Sequence, residues 1–149
     1  MLNEVPILLA EDDENDIFLM GRAFERAGIP NPLVTVRNGQ EAIDYLAGNG
    51  KYVDRKQYPV PGLILLDLNL PKKSGFEVLE WIRNTPKLNS ILVICSSSGQ
   101  SLDIDRAYKL GAHGYVRKPS NFDQLIEQAR AIKDFWLIQN LPPGHSSGF

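Results

Sequence analysis

Four groups of polar residues in this sequence can do chemistry, and each closes or follows a short apolar run. Glu11-Asp12-Asp13 follows Val5–Ala10, and Asp67 follows Leu63–Leu66. Ser96-Ser97-Ser98 follows Ile91–Cys95, and Arg117-Lys118-Pro119 follows Tyr115–Val116. Clustered carboxylates repel one another and call for a cation. Hard oxygen ligands suit Mg²⁺, which prefers six oxygens and keeps several waters. Asp12 and Asp67 could each supply one carboxylate. With its charge lowered by the ion, Asp67 could attack phosphorus as a carboxylate nucleophile and form an acyl phosphate. Lys118 would neutralise phosphoryl charge from the other side, and Ser96 would hydrogen-bond a phosphoryl oxygen.

Taken singly, most of these residues have plainer explanations. Acids just before a helix stabilise its positive N-terminus, and that alone accounts for Glu11–Glu14. A serine run after a strand is usually a turn or a cap, and a Lys-Pro pair is usually a surface loop. Asp67 is harder to dismiss, because burying an unpaired carboxylate at the end of Leu65-Leu66 is costly. The joint placement of all four groups is what favours chemistry. Cys95 reads as core rather than as a reactive thiol. Tyr115, Phe135 and Trp136 read as core or interface aromatics. His113 and His145 lie far apart without cysteine neighbours, which argues against structural zinc.

The elements that must position these groups alternate in type. The apolar runs Val5–Ala10, Leu33–Val36, Leu63–Leu66, Ile91–Cys95 and Tyr115–Val116 lack in/out alternation, as strands covered on both faces do. Between them lie segments with helical spacing. Ile17, Met20, Phe24 and Ala27 form one stripe, stopped by Gly28. Asn38 with Glu41, and Ser74 with Glu77, read as capping boxes. A further helix is expected over about Leu102–Leu110, and a last one from near Asn121 carries Leu125, Ile126, Ala129, Ile132, Phe135 and Trp136. Five strands alternating with five helices imply a doubly wound α/β fold with right-handed crossovers. In such sheets ligands bind beyond the carboxyl ends of the strands, where the polar groups collect. With strand order 2-1-3-4-5, the first and third strands are neighbours and the crevice opens between them. Gly48–Pro61 reads as a long polar loop.

The 149 residues are the size of one domain and are 43% hydrophobic and 23% charged, ordinary values for a globular protein. A formal net charge of −2 gives no general pull toward nucleic acid or anionic membrane. The single cysteine allows no internal disulfide and fits a reducing, cytoplasmic setting. The start of the chain is a poor signal peptide and too short an apolar run to span a membrane. The expected organisation is one domain over residues 1–140, with an extended last helix, and a flexible tail over 141–149.

The same residues resemble a known family, the receiver domains of two-component response regulators. Ile7-Leu8-Leu9-Ala10-Glu11-Asp12-Asp13 is similar to the family's first strand and acidic pair. Leu63–Pro71 with Ser74-Gly75 resembles its phosphoacceptor segment. Ile94–Ser98 resembles its switch hydroxyl segment, and Gly111–Pro119 its strand-five lysine. The resemblance implies a flavodoxin-like (βα)5 domain with a central five-stranded parallel sheet. It implies that Asp67 accepts the phosphoryl group and that Glu11, Asp12, Asp67 and the Asn69 backbone carbonyl hold Mg²⁺, Glu11 through water. Ser96 and Tyr115 would move together as a switch, Lys118 would contact the phosphoryl group, and the bond to Pro119 would be cis. Ser96 stands where threonine is commoner, and Glu11 where aspartate is common. The segment Asp44–Tyr52 and the continuation Lys133–Leu137 look like the stand-alone regulators of phytochrome-type histidine kinases.

The expected function is therefore a single-domain response regulator. It would accept phosphate from a sensor histidine kinase and signal through the surface of the fourth helix, fifth strand and fifth helix. No DNA-binding module is expected, and the chain would be a switch rather than a metabolic enzyme. An aspartate-nucleophile phosphohydrolase is the alternative, but Asn69 stands where its second acid belongs. A flavin carrier of this fold would need a hydroxyl- and glycine-rich loop where Glu11–Glu14 stands. Phe135, Trp136, Leu137 and Ile138 cannot all face one side of a helix, so a homodimer through the last helix is also expected.

Overall fold

The strands Ile7–Ala10, Leu63–Leu66 and Ile91–Ser96 are buried along their whole length, which requires helices on both sides of one sheet. The computed structural model describes residues 5–139, with side chains described through Trp136. The strands are β1 Ile7–Ala10, β2 Leu33–Val36, β3 Leu63–Leu66, β4 Ile91–Ser96 and β5 Gly114–Arg117. The helices are α1 Glu14–Arg26, α2 Gly39–Ala47, α3 Gly75–Arg83, α4 Ser101–Lys109 and α5 Phe122–Gln139. All strand pairs are parallel, in the order β2-β1-β3-β4-β5. This is the doubly wound fold that the sequence predicts, with strand boundaries within two residues of those expected.

Alternate residues of each strand feed two cores. Leu8, Ala10, Ile64, Leu66, Leu92 and Ile94 pack beneath Ala42, Tyr45 and Leu46 of α2 and Val78 and Leu79 of α3. Ile7, Leu9, Leu63, Leu65, Val93 and Cys95 face Met20, Ala23 and Phe24 of α1 and Ile126, Ala129, Ile132 and Trp136 of α5. The helix starts follow the predicted caps. Asn38 Oδ1 accepts the Glu41 N–H at 2.8 Å, and Ser74 Oγ accepts the Glu77 N–H at 3.2 Å.

One expectation is corrected, and one choice left open is decided. The stretch Gly48–Pro61 is a built segment rather than a plain polar loop. Its 3₁₀ turn, Gly50–Tyr52, buries Tyr52 against Tyr45 and Tyr58, with ring centroids 4.9 and 5.0 Å away. Arg55 donates to the carbonyls of Tyr45 and Leu46, both at 2.7 Å. These are among the last carbonyls of α2, and the arginine adds donors there beside the Gly48 N–H that Tyr45 O accepts at 3.2 Å. The open choice concerns Trp136. It is 2% exposed and belongs to the domain's own core, because it follows Ile126, Ala129 and Ile132 on one helical stripe. The space for it is made at Gly62, where an added Cβ would lie 3.0 Å from the indole. Phe135 is half-buried against the same core. Trp136 is therefore not an interface residue; the side chains of Leu137 and Ile138, and the tail over 141–149, lie outside the described residues.

Candidate phosphoacceptor and metal site

The sheet ladder carries the polar groups to one rim. The Glu11 N–H donates to Val36 O at 3.0 Å, and the Asp67 N–H to Ala10 O at 3.1 Å. The Lys118 N–H donates to Ser96 O at 2.8 Å. Each functional residue thus extends the sheet's hydrogen bonding by one residue beyond its strand. Rigid backbone, rather than a loop, sets where these side chains start.

Glu11, Asp12 and Asp67 each offer a carboxylate oxygen within 4.8 Å of the others. Glu11 and Asp67 are buried, at 4% and 6% exposure, while Asp12 is open to solvent. Two buried carboxylates this close demand positive charge. In the structure Lys118 provides it. Its ammonium lies 2.6 Å from Glu11 Oε1, 2.9 Å from Asp67 Oδ2 and 3.0 Å from Asp16 Oδ2. The set of three hard oxygen donors, one facing solvent, suits a divalent cation, which would share the task of neutralisation.

Further hydrogen bonds fix the carboxylates. Glu11 Oε2 accepts from the N–H groups of Asp12 and Asp13 at 3.1 and 3.2 Å. Asp67 Oδ1 accepts from the Asn69 N–H at 3.1 Å. Beside the backbone carbonyl that the resemblance assigns to the metal, Asn69 thus has an amide that orients Asp67. Burial raises the Glu11 carboxyl above the usual carboxylate range, against the Lys118 hydrogen bond and with help from the Asp67 charge. Burial pulls the Lys118 ammonium down, but its hydrogen bonds to Glu11, Asp67 and Asp16 outweigh that and hold it charged far above neutrality. The Cys95 thiol is pushed up to about 12, chiefly by burial, so it is not a nucleophile at neutral pH.

The switch residues are placed differently from the acids. Ser96 is fully buried, and its Oγ accepts the Ser98 N–H at 3.1 Å. The Tyr115 hydroxyl donates to Ser98 O at 2.8 Å, so it is tied to the β4–α4 connection rather than to Ser96 itself. Ser98 Oγ in turn donates to Asp103 Oδ2 of α4 at 2.6 Å. No cis peptide bond occurs among the described residues, so the Lys118–Pro119 bond is trans, against expectation. Asp13, by contrast, has the plain role of an N-cap, accepting the Asp16 N–H at 2.9 Å.

Close backbone packing seats the segment after Asp67. Gly75, the first residue of α3, approaches so near that an added Cβ would sit 2.4 Å from Asp67 O. At Gly39 an added Cβ would sit 1.9 Å from Lys73 O. The β3–α3 connection is therefore held between the N-termini of two helices.

The model of the response regulator receiver domain matches residues 7–130, and this chain belongs to that family. The probable methanogenesis regulatory protein FilR2 of Methanothrix harundinacea (strain 6Ac) is 37% identical over 93% of this chain and 87% of its own length. The response regulator Rcp1 of Synechocystis sp. is also 37% identical, over 88% of each chain. Its Mn(2+)-bound structure has a TM-score of 0.81 at 35% identity, covering 94% of this chain and 99% of that one. The phosphorylated cyanobacterial phytochrome response regulator RcpA has a TM-score of 0.85 at 39% identity, covering 95% of this chain and 99% of that one. The chain is thus a receiver domain, similar over nearly its whole length to these response regulators, and its role is phosphoacceptor signalling. The family match decides against the phosphohydrolase and flavin-carrier alternatives. No helix among the described residues is long and apolar enough to cross a membrane.

Proposed function

We propose that the chain accepts a phosphoryl group on Asp67 from a sensor histidine kinase, of the phytochrome type, and passes the signal on by protein–protein contact. The observation that carries this reading is a buried aspartate at a strand end, with Lys118 at 2.9 Å and two further acids beside it. In transfer, one Asp67 oxygen bonds to phosphorus as the bond from phosphorus to the donor imidazole nitrogen breaks. The electron pair leaves with that nitrogen. Lys118 offers its N–H groups to the incoming phosphoryl oxygens, and the Asn69 amide keeps the carboxylate aimed. Glu11, Asp12, Asp67 and the Asn69 carbonyl would hold Mg²⁺, which supplies charge neutralisation for the transferring group. The relatives support this choice of chemistry, since the Rcp1 structure is described as Mn(2+)-bound and the RcpA structure as phosphorylated.

Ser96 would donate its hydroxyl to the phosphoryl group after giving up the Ser98 N–H. Tyr115 and Asp103, both hydrogen-bonded to Ser98, would carry that change to the surface of α4, β5 and α5. The reading makes the protein a cytoplasmic switch and not a metabolic enzyme. Intact mass after incubation with acetyl phosphate and Mg²⁺ tests it. One added phosphoryl group is expected on the wild type and none on Asp67→Asn or in EDTA. Labelling of Asp67→Asn to the wild-type extent would refute the assignment.

A further inference from the structure

An ammonium group has three N–H donors. In Lys118 three carboxylates share them: Glu11 at 2.6 Å, Asp67 at 2.9 Å and Asp16 at 3.0 Å. Of these only Asp16 comes from outside the set of acids that can share a cation. It sits in the first turn of α1, 102 residues from Lys118, with no feature of the sequence to mark it apart from its neighbours.

The three acceptors are not equal. The Glu11 and Asp67 side chains are 5% and 7% exposed, and that of Asp16 is 39%. When a phosphoryl oxygen arrives at Asp67, Lys118 has no spare N–H to offer it. One existing contact must be given up. Separating Lys118 from a buried carboxylate leaves a charge without water or partner, which is costly. Separating it from Asp16 lets water take over, which is cheap. A cavity of about 120 Å³, walled by Leu19, Met20, Phe122 and Leu125 as well as Asp16 and Lys118, adjoins the contact and leaves room for it to open.

Building on the assignment of Asp67 as phosphoacceptor, we infer that Asp16 is a positioning residue that holds the Lys118 ammonium in the resting site and competes with the incoming phosphoryl group for it. The contact is the releasable one of the three, and its strength sets how readily Lys118 turns to a phosphoryl donor. Asp16 touches no reacting atom; it acts through Lys118 alone. Because it belongs to α1, release of the contact also frees the first turn of that helix from the active-site lysine.

The test compares the acetyl phosphate dependence of phosphorylation at saturating Mg²⁺ in the wild type, Asp16→Asn, Asp16→Ala, Asp16→Glu and Glu14→Gln. Glu14 lies in the same turn but pairs with Arg37 rather than Lys118, so its variant removes the same charge without the contact. The half-saturating concentration is expected to fall about three- to tenfold in Asp16→Asn and Asp16→Ala, the size of one partly exposed ion pair. It should stay within about twofold of wild type in Glu14→Gln and return toward wild type in Asp16→Glu. The Lys118 ammonium nitrogen resonance should move in Asp16→Asn and not in Glu14→Gln, a change that a merely structural role of Asp16 would not produce. Equal concentration dependences and an unmoved resonance in Asp16→Asn would overturn the inference while leaving Asp67 as the phosphoacceptor. An equal shift in Glu14→Gln would overturn it in favour of general electrostatics. A wild type that takes up no phosphoryl group at all would overturn the Asp67 assignment, and this inference with it.

Discussion

Lys118 Nζ stands 2.9 Å from Asp67 Oδ2 across 51 residues of sequence, and both side chains are more than three-quarters hidden from solvent. The pair is a resting-state device. Without a divalent ion, the lysine is the cation that makes two buried acids tolerable. Lys118→Ala is therefore expected to lower the stability of the metal-free protein by about 3 kcal/mol, the cost of leaving a buried carboxylate unpaired. Adding Mg²⁺ should restore part of this, because a cation returns to the same oxygens. Thermal unfolding with EDTA and with Mg²⁺ measures both. A variant that unfolds with the wild type in EDTA would show that the acids do not need the lysine.

Glu11 gives the metal-free protein a particular pH dependence. Burial, with the Asp67 charge, raises its carboxyl above the ordinary value of 4.5 despite the Lys118 hydrogen bond. The folded state therefore holds that proton more tightly than the unfolded chain does. The stability this contributes is fully present below about 4.5 and is lost as pH rises through the higher folded value. Glu11→Gln does not titrate, so its urea midpoint should fall less than that of the wild type as pH rises from 4.5 toward neutrality. Measured in EDTA, parallel midpoint curves would contradict the role given to burial.

The acids and the lysine were legible in the sequence because each closes an apolar run, and strand ends of a parallel sheet meet at one rim. Ser96 was legible for the same reason. Asp16 was not, since an acid in a first helical turn has a sufficient local explanation and its partner lies 102 residues away. Arg55 was equally silent: nothing local shows that a loop arginine will reach back to the carbonyls of Tyr45 and Leu46. Trp136 was left between core and interface for a different reason. Consecutive apolar residues near a helix end leave the choice between core and interface to packing, and packing here depends on the absent side chain at Gly62.

That packing makes a prediction about Trp136. Truncation of a fully buried indole costs about 3–5 kcal/mol. Trp136→Ala should therefore lower the urea midpoint sharply, and the loss should not depend on protein concentration. An interface tryptophan would instead shift the sedimentation profile while leaving the monomer's stability nearly intact. Equilibrium unfolding at two widely separated concentrations distinguishes these outcomes.

Glycines in two helices provide a matched pair for the connection that follows Asp67. Gly21 lies within α1, where an added Cβ meets nothing within 4 Å. Alanine there has the better helix propensity, and Gly21→Ala is expected to stabilise by about 0.5–1 kcal/mol. Gly39 opens α2, where propensity also favours alanine, but the new Cβ would lie 1.9 Å from Lys73 O. That atom is backbone and cannot swing aside like a side chain. The Gly39 N–H also donates to Pro71 O at 3.2 Å, so the helix and the connection must separate together. Gly39→Ala should therefore destabilise, by about 1–3 kcal/mol as other overpacked sites do. The displaced connection runs from Asp67 to α3, so phosphorylation by acetyl phosphate should slow in Gly39→Ala and not in Gly21→Ala. Stability and labelling rate measured on both variants separate helix propensity from close packing. A Gly39→Ala protein as stable and as readily phosphorylated as Gly21→Ala would mean that the approach of α2 to the phosphoacceptor segment has no bearing on the site.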